Sequence, residues 1–540
     1  MRDSHPPDSD ARQKELTRRG ESSSRLNRSG RVRQKQWTPK VKTGCVTCKI
    51  RKVKCDETKP SCQRCSSTGR KCDGYNPVPQ KPTSKALKVV QMPSPWELLP
   101  GDRIEMESFQ FFHSVTTPNL AGFFDQGRWA CRLLQMSHQY PALWHAMAAV
   151  AGAHRNFVTD RTPITVSRSQ DNNEVRFALR QWNKSIQSLQ TLLSGQDLTK
   201  LDRLVVLSIC LLFTTLSSLQ GRQSQAFVHI NSGLKLLHHW NLADIAGCQS
   251  DEDLDLKMLF ILFSQLDSQA RPYRLKNLQW TDKQLTPSSS QAPFQSLLDA
   301  CVALEVHFNH MMQLFSDPSL YTHGPNAETQ TKKQKCIDNF TDWDNKLAQF
   351  LSTTPQPEDK KALSLLYIRR ALARVALTMD FSKGELAHDD FTQDYASILH
   401  LVSEILEAPN HQTQNPPQPP KLNFSLATIT TEPLFLVAFR CREPTIRKQA
   451  MRLLRRFPGR EGICEGMTAL KIVEKVIEIE EECLTSAEGA CTNGRWICGN
   501  HRVSLLQFFL VHERQVKTVM HTGEDLVLGR SGRELVTTYW

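Results

Sequence analysis

The chain has 540 residues, 39% of them hydrophobic and 23% charged, with a net charge of +13. That length and apolar content support a sizeable core, which excludes both a single small module and a wholly disordered polymer. The charge is uneven: residues 1–90 hold 23 Lys or Arg against 8 Asp or Glu, a surplus of +15, which leaves −2 for residues 91–540, so the larger part does not read as a second nucleic-acid surface.

Residues 1–42 are rich in Arg, Lys, Ser, Gln and Asp and nearly free of large apolar side chains, so they read as a disordered basic arm. Its clusters, Arg18-Arg19 and Arg31, Arg33 and Lys35, suit nuclear import or phosphate contacts; the plainer reading is solvated charge. The opening MRDSHPPDSD lacks the apolar run of a secretory leader, so a disulfide framework is not expected.

Residues 43–75 carry six cysteines, Cys45, Cys48, Cys55, Cys62, Cys65 and Cys72, in which a C-x2-C-x6-C unit occurs twice. Thiolate is a soft ligand that suits zinc, and a structural zinc ion takes four donors in a tetrahedron. Two ions need eight donor positions, which six thiolates supply only when two of them bridge. A single four-cysteine site would leave Cys55 and Cys72 idle, and a redox CxxC lacks the strand and helix pattern it needs here. The spacing therefore predicts a binuclear zinc cluster with two ions.

This stretch, with its basic run Lys49-Ile50-Arg51-Lys52-Val53-Lys54 and Lys59-Pro60 ahead of the fourth cysteine, resembles the binuclear zinc-cluster regulators of fungi. The resemblance implies that Cys45 and Cys62 bridge, that Cys48 and Cys55 complete one zinc and Cys65 and Cys72 the other, and that Pro60 turns the chain between halves. It implies a nuclear transcription regulator of RNA polymerase II genes that binds double-stranded DNA and engages the transcription machinery. Four of the six residues between Cys48 and Cys55 are basic, against two between Cys65 and Cys72, so the first half is the one to face DNA. A short helix after Cys48 is expected in the major groove, where Lys or Arg donates to guanine O6 and N7. In the family that helix reads a CGG-type triplet, with Lys52 and Arg51 at the matching positions; Lys49 and Lys54 read as phosphate contacts.

Residues 76–98 form a proline-containing linker whose Pro77, Pro79, Pro82, Pro93 and Pro95 preclude a long helix, and no heptad repeat follows the cluster. A homodimer would then have to form through the region beyond it. Residues 99–530 read as an all-helical regulatory domain and 531–540 as a tail, giving a mainly α chain. Asp102 caps a helix carrying Ile104, Phe109 and Phe112, and Tyr140 to Ala153 opens with proline and continues with strong helix formers. Val175, Ala178, Leu179, Trp182, Ile186, Leu189 and Leu193 make one buried stripe. Leu201 to Leu219 reads as a central buried helix, its Ser and Thr residues leaving too short an apolar run for a membrane span. Further helices are expected near Gln225–Trp240, Leu254–Gln269, Ser296–Phe315, Lys332–Phe350, Lys360–Met379 and Asp390–Leu406, with no convincing strand alternation.

The segments FFHSVTTPNLAGFFDQGRW, YPALWHAMAAVAGAH, HINSGLKLL and Phe457 to Glu482 also resemble the helical regulatory region of the same fungal factors, although Ile463 and Cys464 follow the REG where the family often has Trp. Glu478, Glu480, Glu481 and Glu482 read as the solvated face of an amphipathic helix rather than an acidic activation segment. His229, His238 and His239 read as structural, and Cys491, Cys498 and His501 lack a fourth ligand. No phosphate loop, nucleophile elbow or HExxH occurs, and no enzyme is expected. The functional alternatives are a zinc-stabilised interaction protein without sequence readout and a zinc-stabilised enzyme.

Overall fold

The structure, a computed structural model, describes residues 43–75, 102–120, 122, 124, 128–159, 173–195, 197–240, 251–274, 292–315, 327–353, 359–407, 423–485 and 497–538. The basic arm 1–42 and the linker 76–98 lie outside the described residues. The chain divides into two units, Met1–Ser94 and Pro95–Trp540.

In the first unit two short helices, α1 (Val46–Ile50) and α2 (Gln63–Ser66), each begin directly after a cysteine that serves as N-cap. The apolar interior consists of Cys45, Cys48, Cys62 and Cys65, with Cys55, Cys72 and Tyr75 against them. Four sulfurs cannot hold a fold of this size by hydrophobic burial, so metal must supply most of its stability.

The second unit is mainly α. It begins with α3 (Arg103–Phe111), whose cap Asp102 accepts from the backbone N–H of Glu105. Ile104 is 54% exposed, contrary to the expected apolar face, while Glu105 is buried and takes Lys184 Nζ and Gln181 Nε2, both at 2.6 Å. After α4 (Arg128–Ser137) comes α5 (Pro141–Thr159), with thirteen of nineteen residues buried. Its alanine-rich surface lets α6 (Asn173–Leu193) approach closely: a side chain at Gly152 would sit 3.1 Å from the Phe177 ring. This closeness corrects the expected stripe on α6. The fully buried line is Phe177, Ala178, Gln181 and Ser185, with Ser185 Oγ donating to Ala142 O; Trp182, Ile186 and Leu189 pack beside it and Leu193 is 46% exposed.

The centre is α7 (Lys200–Leu219), opened by a capping box between Thr199 and Asp202 and buried at every residue from Leu204 to Leu219. It is long and apolar enough to cross a membrane, but 78% of its apolar window lies inside the body, where Thr214 and Thr215 return their hydroxyl hydrogens to Cys210 O and Leu211 O. Against it pack α8 (Gln223–His239) and α9 (Asp251–Ala270); α10 (Leu297–Phe315) packs on α9, α11 (Ala327–Thr353) and α12 (Lys360–Thr378) pack on α10, and α13 (Thr392–Glu407) packs on α12. Helices α14 (Thr431–Arg440), α15 (Pro444–Arg456) and α16 (Gly466–Thr485) complete the helical body.

Strands interrupt the expected all-helical region. After the two-residue β1 (Tyr273–Arg274), a small sheet joins β2 (Asn423–Ser425), β3 (Gly459–Glu461) and β4 (Cys464–Glu465). The REGI segment is the turn of this sheet: Gly462 has φ +59, and a side chain there would meet Gln269 Oε1 at 2.4 Å. A larger sheet of order β1-β5-β6-β7 follows the helices, with β5 (Val503–His512), β6 (Gln515–Thr522) and β7 (Arg533–Thr538) antiparallel in sequence. The segment expected as a tail is therefore in large part its edge strand.

The larger sheet is fastened to the helices by buried charge. Glu480, fully buried on α16, accepts from Arg442 at 2.7 Å, from Arg447 at 3.0 Å and from the Val503 N–H at 3.0 Å. It is not part of a solvated acidic face, because three donors converge on it, one from the loop between α14 and α15, one from α15 and one from β5. Arg502, also fully buried, reaches both oxygens of Asp389.

Candidate metal centre and nucleic-acid interface

The six thiols form two groups of four: Cys45, Cys48, Cys55 and Cys62, and Cys45, Cys62, Cys65 and Cys72, the sulfurs of each lying within 4.8 Å of one another. The pair common to both is Cys45 and Cys62, which the resemblance names as bridging. Their sulfurs are 3.5 Å apart, and Cys48 Sγ lies 3.7 Å from Cys62 Sγ. A tetrahedron with Zn–S near 2.3 Å has S···S edges of about 3.8 Å, so the donor set fits zinc in number, type and spacing. The cluster takes two zinc ions.

Local backbone geometry prepares these sulfurs for charge. The N–H of Cys48 donates to Cys45 Sγ and the N–H of Cys65 to Cys62 Sγ, so each bridging sulfur is a helix cap. The N–H groups of Cys45 and Cys62 donate to Cys55 Sγ and Cys72 Sγ. Burial pushes up the Cys45, Cys48 and Cys62 thiols. At Cys55 burial also acts upward, but donation from the Cys45 and Glu57 N–H groups, with the Tyr75 hydroxyl beside it, brings the thiol down to about 7. To bind zinc these buried thiols must give up their protons, so only a tightly bound metal holds them as thiolates.

The two halves repeat at an offset of 17 residues down to their hydrogen bonds. After α1 the N–H of Lys52 bonds to Lys49 O and that of Val53 to Cys48 O; after α2 the N–H of Gly69 bonds to Ser66 O and that of Arg70 to Cys65 O. Each is a Schellman closure, which needs a left-handed residue. Gly69 supplies it at φ +64, the usual solution; Lys52 supplies it at φ +54, with a β-carbon that a left-handed backbone tolerates poorly.

Other contacts hold the halves in place. Asp56 accepts from Thr58 and from the Arg64 N–H at 2.7 Å, and Tyr75 donates to Thr58 O, tying down the loop around the cis Lys59–Pro60 bond. Thr47 Oγ1 donates to Asp73 at 2.8 Å across the two ends. Gly44 is buried, and a side chain there would lie 2.9 Å from Cys55 Cβ. Sequence reasoning missed Asp56, Thr47 and Gly44; the offset of the cysteine units was their only available signal.

The four basic candidates occupy different settings. The helix starts at Val46 and ends at Ile50, earlier than expected, because Cys45 caps it; only Lys49 lies within it. Arg51 is its C-cap, half-buried, with Nη1 donating to Thr68 Oγ1 at 3.3 Å. Lys52 and Lys54 follow it and, like Lys49, are exposed with no carboxylate partner among the described residues. Three cations thus crowd a helix C-terminus, whose own partial charge is negative, leaving a compact positive surface for an anionic partner.

Among the described residues the rival constellations form no metal site, and only the two cysteine groups have metal-ligand geometry. His229 stacks edge-on against Trp182 and Phe213 as a packed core ring. Cys498 Sγ and His501 Nδ1 lie 3.0 Å apart, but Cys491 falls outside the described residues.

Residues 43–82 match the fungal Zn(2)-Cys(6) binuclear cluster domain and residues 107–476 the fungal specific transcription factor domain. The aspercryptin biosynthesis cluster-specific transcription regulator of Emericella nidulans is 27% identical over 403 residues, covering 68% of this chain and 64% of that relative's own length. No solved structure matches the chain.

Proposed function

The chain belongs to the fungal specific transcription factor family, and from that membership we propose that it is a nuclear, sequence-specific DNA-binding regulator of RNA polymerase II genes whose zinc cluster reads a CGG-type triplet in the major groove. Cys45 and Cys62 bridge the two ions, Cys48 and Cys55 complete one site, and Cys65 and Cys72 the other. Lys52 donates to guanine O6 and N7 with Arg51 beside it, while Lys49 and Lys54 neutralise phosphates. The linker boundaries follow the sequence reading, the regulatory domain runs on through β7, and a homodimer forms through the second unit, which also meets the transcription machinery.

The single observation that carries base readout is the left-handed Lys52. The fold is satisfied by glycine at the equivalent position 69, so a lysine held at φ +54 in the basic half is a residue kept for its side chain. The test is selection of bound duplexes from a random pool by the full-length protein and by Lys52→Ala. The wild type should enrich CGG-type triplets, and the variant should lose roughly 1–3 kcal/mol on the selected site and much less on unrelated DNA. Equal losses on both would reduce Lys52 to a phosphate contact, and no enrichment by the wild type would remove sequence reading altogether.

A further inference from the structure

Between Lys49 and Arg51 stands Ile50, 73% exposed, among the most exposed large apolar side chains in the described protein. The fold does not require it. Residues packed against the sulfur core are Cys55, Cys72 and Tyr75, and Ile50 is not among them. At the 17-residue offset the second half has Ser67, also exposed, so the same backbone closes equally well around a polar side chain. The whole run differs in the same sense: Lys49-Ile50-Arg51-Lys52 stands where the other half has Ser66-Ser67-Thr68-Gly69.

Direction follows from helix geometry. Ile50 lies two residues beyond Cys48, about 200° around the helix axis, so with Cys48 turned inward to the sulfurs Ile50 points away from them. It therefore stands proud at the helix end, flanked by exposed Lys49 on one side and by Arg51 and Lys52 on the other. Isolated apolar residues on a protein surface need no explanation, but an isoleucine at the centre of a cationic face makes that face a poorer match for phosphate and water. The major groove offers one apolar group to such a side chain, the 5-methyl of thymine.

We propose that Ile50 is a specificity-determining residue that packs on the methyl group of a thymine close to the guanines contacted by Lys52. The proposal rests on the reading of the α1 surface as the DNA-facing one. Lys49, Lys52 and Lys54 bring the helix end down on the groove, and the branched side chain of Ile50 fills the space against the methyl. The bound site then extends beyond the triplet by an A·T pair of fixed orientation, since only one strand of that pair presents the methyl at the required edge.

The experiment uses the full-length protein and a duplex it has itself selected from a random pool, so that the outcome does not depend on the triplet being CGG. Each thymine is replaced in turn by deoxyuridine, which removes only the methyl, and affinities are measured by fluorescence anisotropy for wild type, Ile50→Ala, Ile50→Val and Val53→Ala. One substitution within a few base pairs of the guanines should weaken wild-type binding by about fourfold, the worth of one buried methyl. Ile50→Ala should bind the thymine and deoxyuridine duplexes alike, Ile50→Val should keep most of the discrimination, and Val53→Ala all of it. Retention of both zinc ions by each variant shows that the cluster is folded. Selection of a sequence without any thymine-methyl effect overturns the contact and leaves triplet reading standing, as does discrimination unchanged in Ile50→Ala. Failure to select any sequence overturns both.

Discussion

Replacing Lys52 by glycine should separate what this residue does for DNA from what it does to the fold. At φ +54 a residue with a β-carbon carries a penalty of roughly 1–2 kcal/mol that glycine avoids, while glycine gives back about 0.5–1 kcal/mol through its freer unfolded chain. The net gain is on the order of 0.5–1 kcal/mol, or about two- to fivefold in the folding equilibrium of the cluster. Alanine keeps the β-carbon and gains nothing. The assay is zinc loss from the full-length protein to a competing chelator, because cluster folding and zinc retention are one equilibrium. Lys52→Gly should resist the chelator better than Lys52→Ala by that factor, and both should lose the same affinity for the selected triplet. A glycine variant that yields its zinc as readily as the alanine variant would refute the idea that the lysine is held under strain, and one that bound the triplet like wild type would refute readout.

Zinc removal should unfold residues 43–75, since each structural ion contributes on the order of 10 kcal/mol; Cys45→Ser, which deletes a thiol common to both groups, should abolish metal retention measured by elemental analysis, whereas Cys55→Ser, in one group only, should leave one ion. Glu480→Gln should destabilise the second unit by about 3 kcal/mol in urea unfolding, because Arg442 and Arg447 keep their burial and lose a shared charge, and amide exchange should rise first in Val503–Thr522. Burial lowers His154, His229 and His307 to about 4, so below about pH 6.5 the unfolded chain takes up protons that the folded one refuses. Stability should thus fall as the pH drops from about 6.5 to 4, by up to about 1.4 kcal/mol per pH unit for each histidine. His154→Gln should flatten the unfolding midpoint against pH over that window; an unchanged slope would assign the loss to other groups.

The metal centre was legible in the sequence because its chemistry is counted by residues: six thiols at repeated spacings leave little choice of ligand. The helices at Pro141–Thr159 and Lys200–Leu219 were legible for a similar reason, their strong helix formers and caps lying within the segment itself. What escaped depends on partners distant in the chain. The buried line of Asn173–Leu193 runs through Gln181 and Ser185, which look solvent-facing until Ala142, His145 and Glu105 are brought against them. Glu480 reads as one of several surface acids until Arg442, Arg447 and the Val503 N–H converge on it. The strand Val503–His512 is a nearly unbroken apolar run, which periodicity alone does not distinguish from a buried helix. Its neighbour Gln515–Thr522 did carry a signal, since Val516, Thr518, Met520 and Thr522 alternate and are all buried.

The cluster builds one backbone plan twice and dresses it with different side chains. Both halves use a cysteine cap, a short helix, a left-handed closure and a terminal thiol held by an N–H, so everything the metal requires is present twice. Wherever the second half meets a position on the helix end with Ser66, Ser67, Thr68 or Gly69, it chooses the side chain that the backbone accepts most easily. The first half places two lysines, an arginine and an isoleucine there, one of them in a conformation that costs about 1–2 kcal/mol. A second half that only completes the metal site can drift toward the easy residues. A first half that presents donors and an apolar surface to a partner, as proposed, cannot, and the proposed recognising face is the one where the two halves differ.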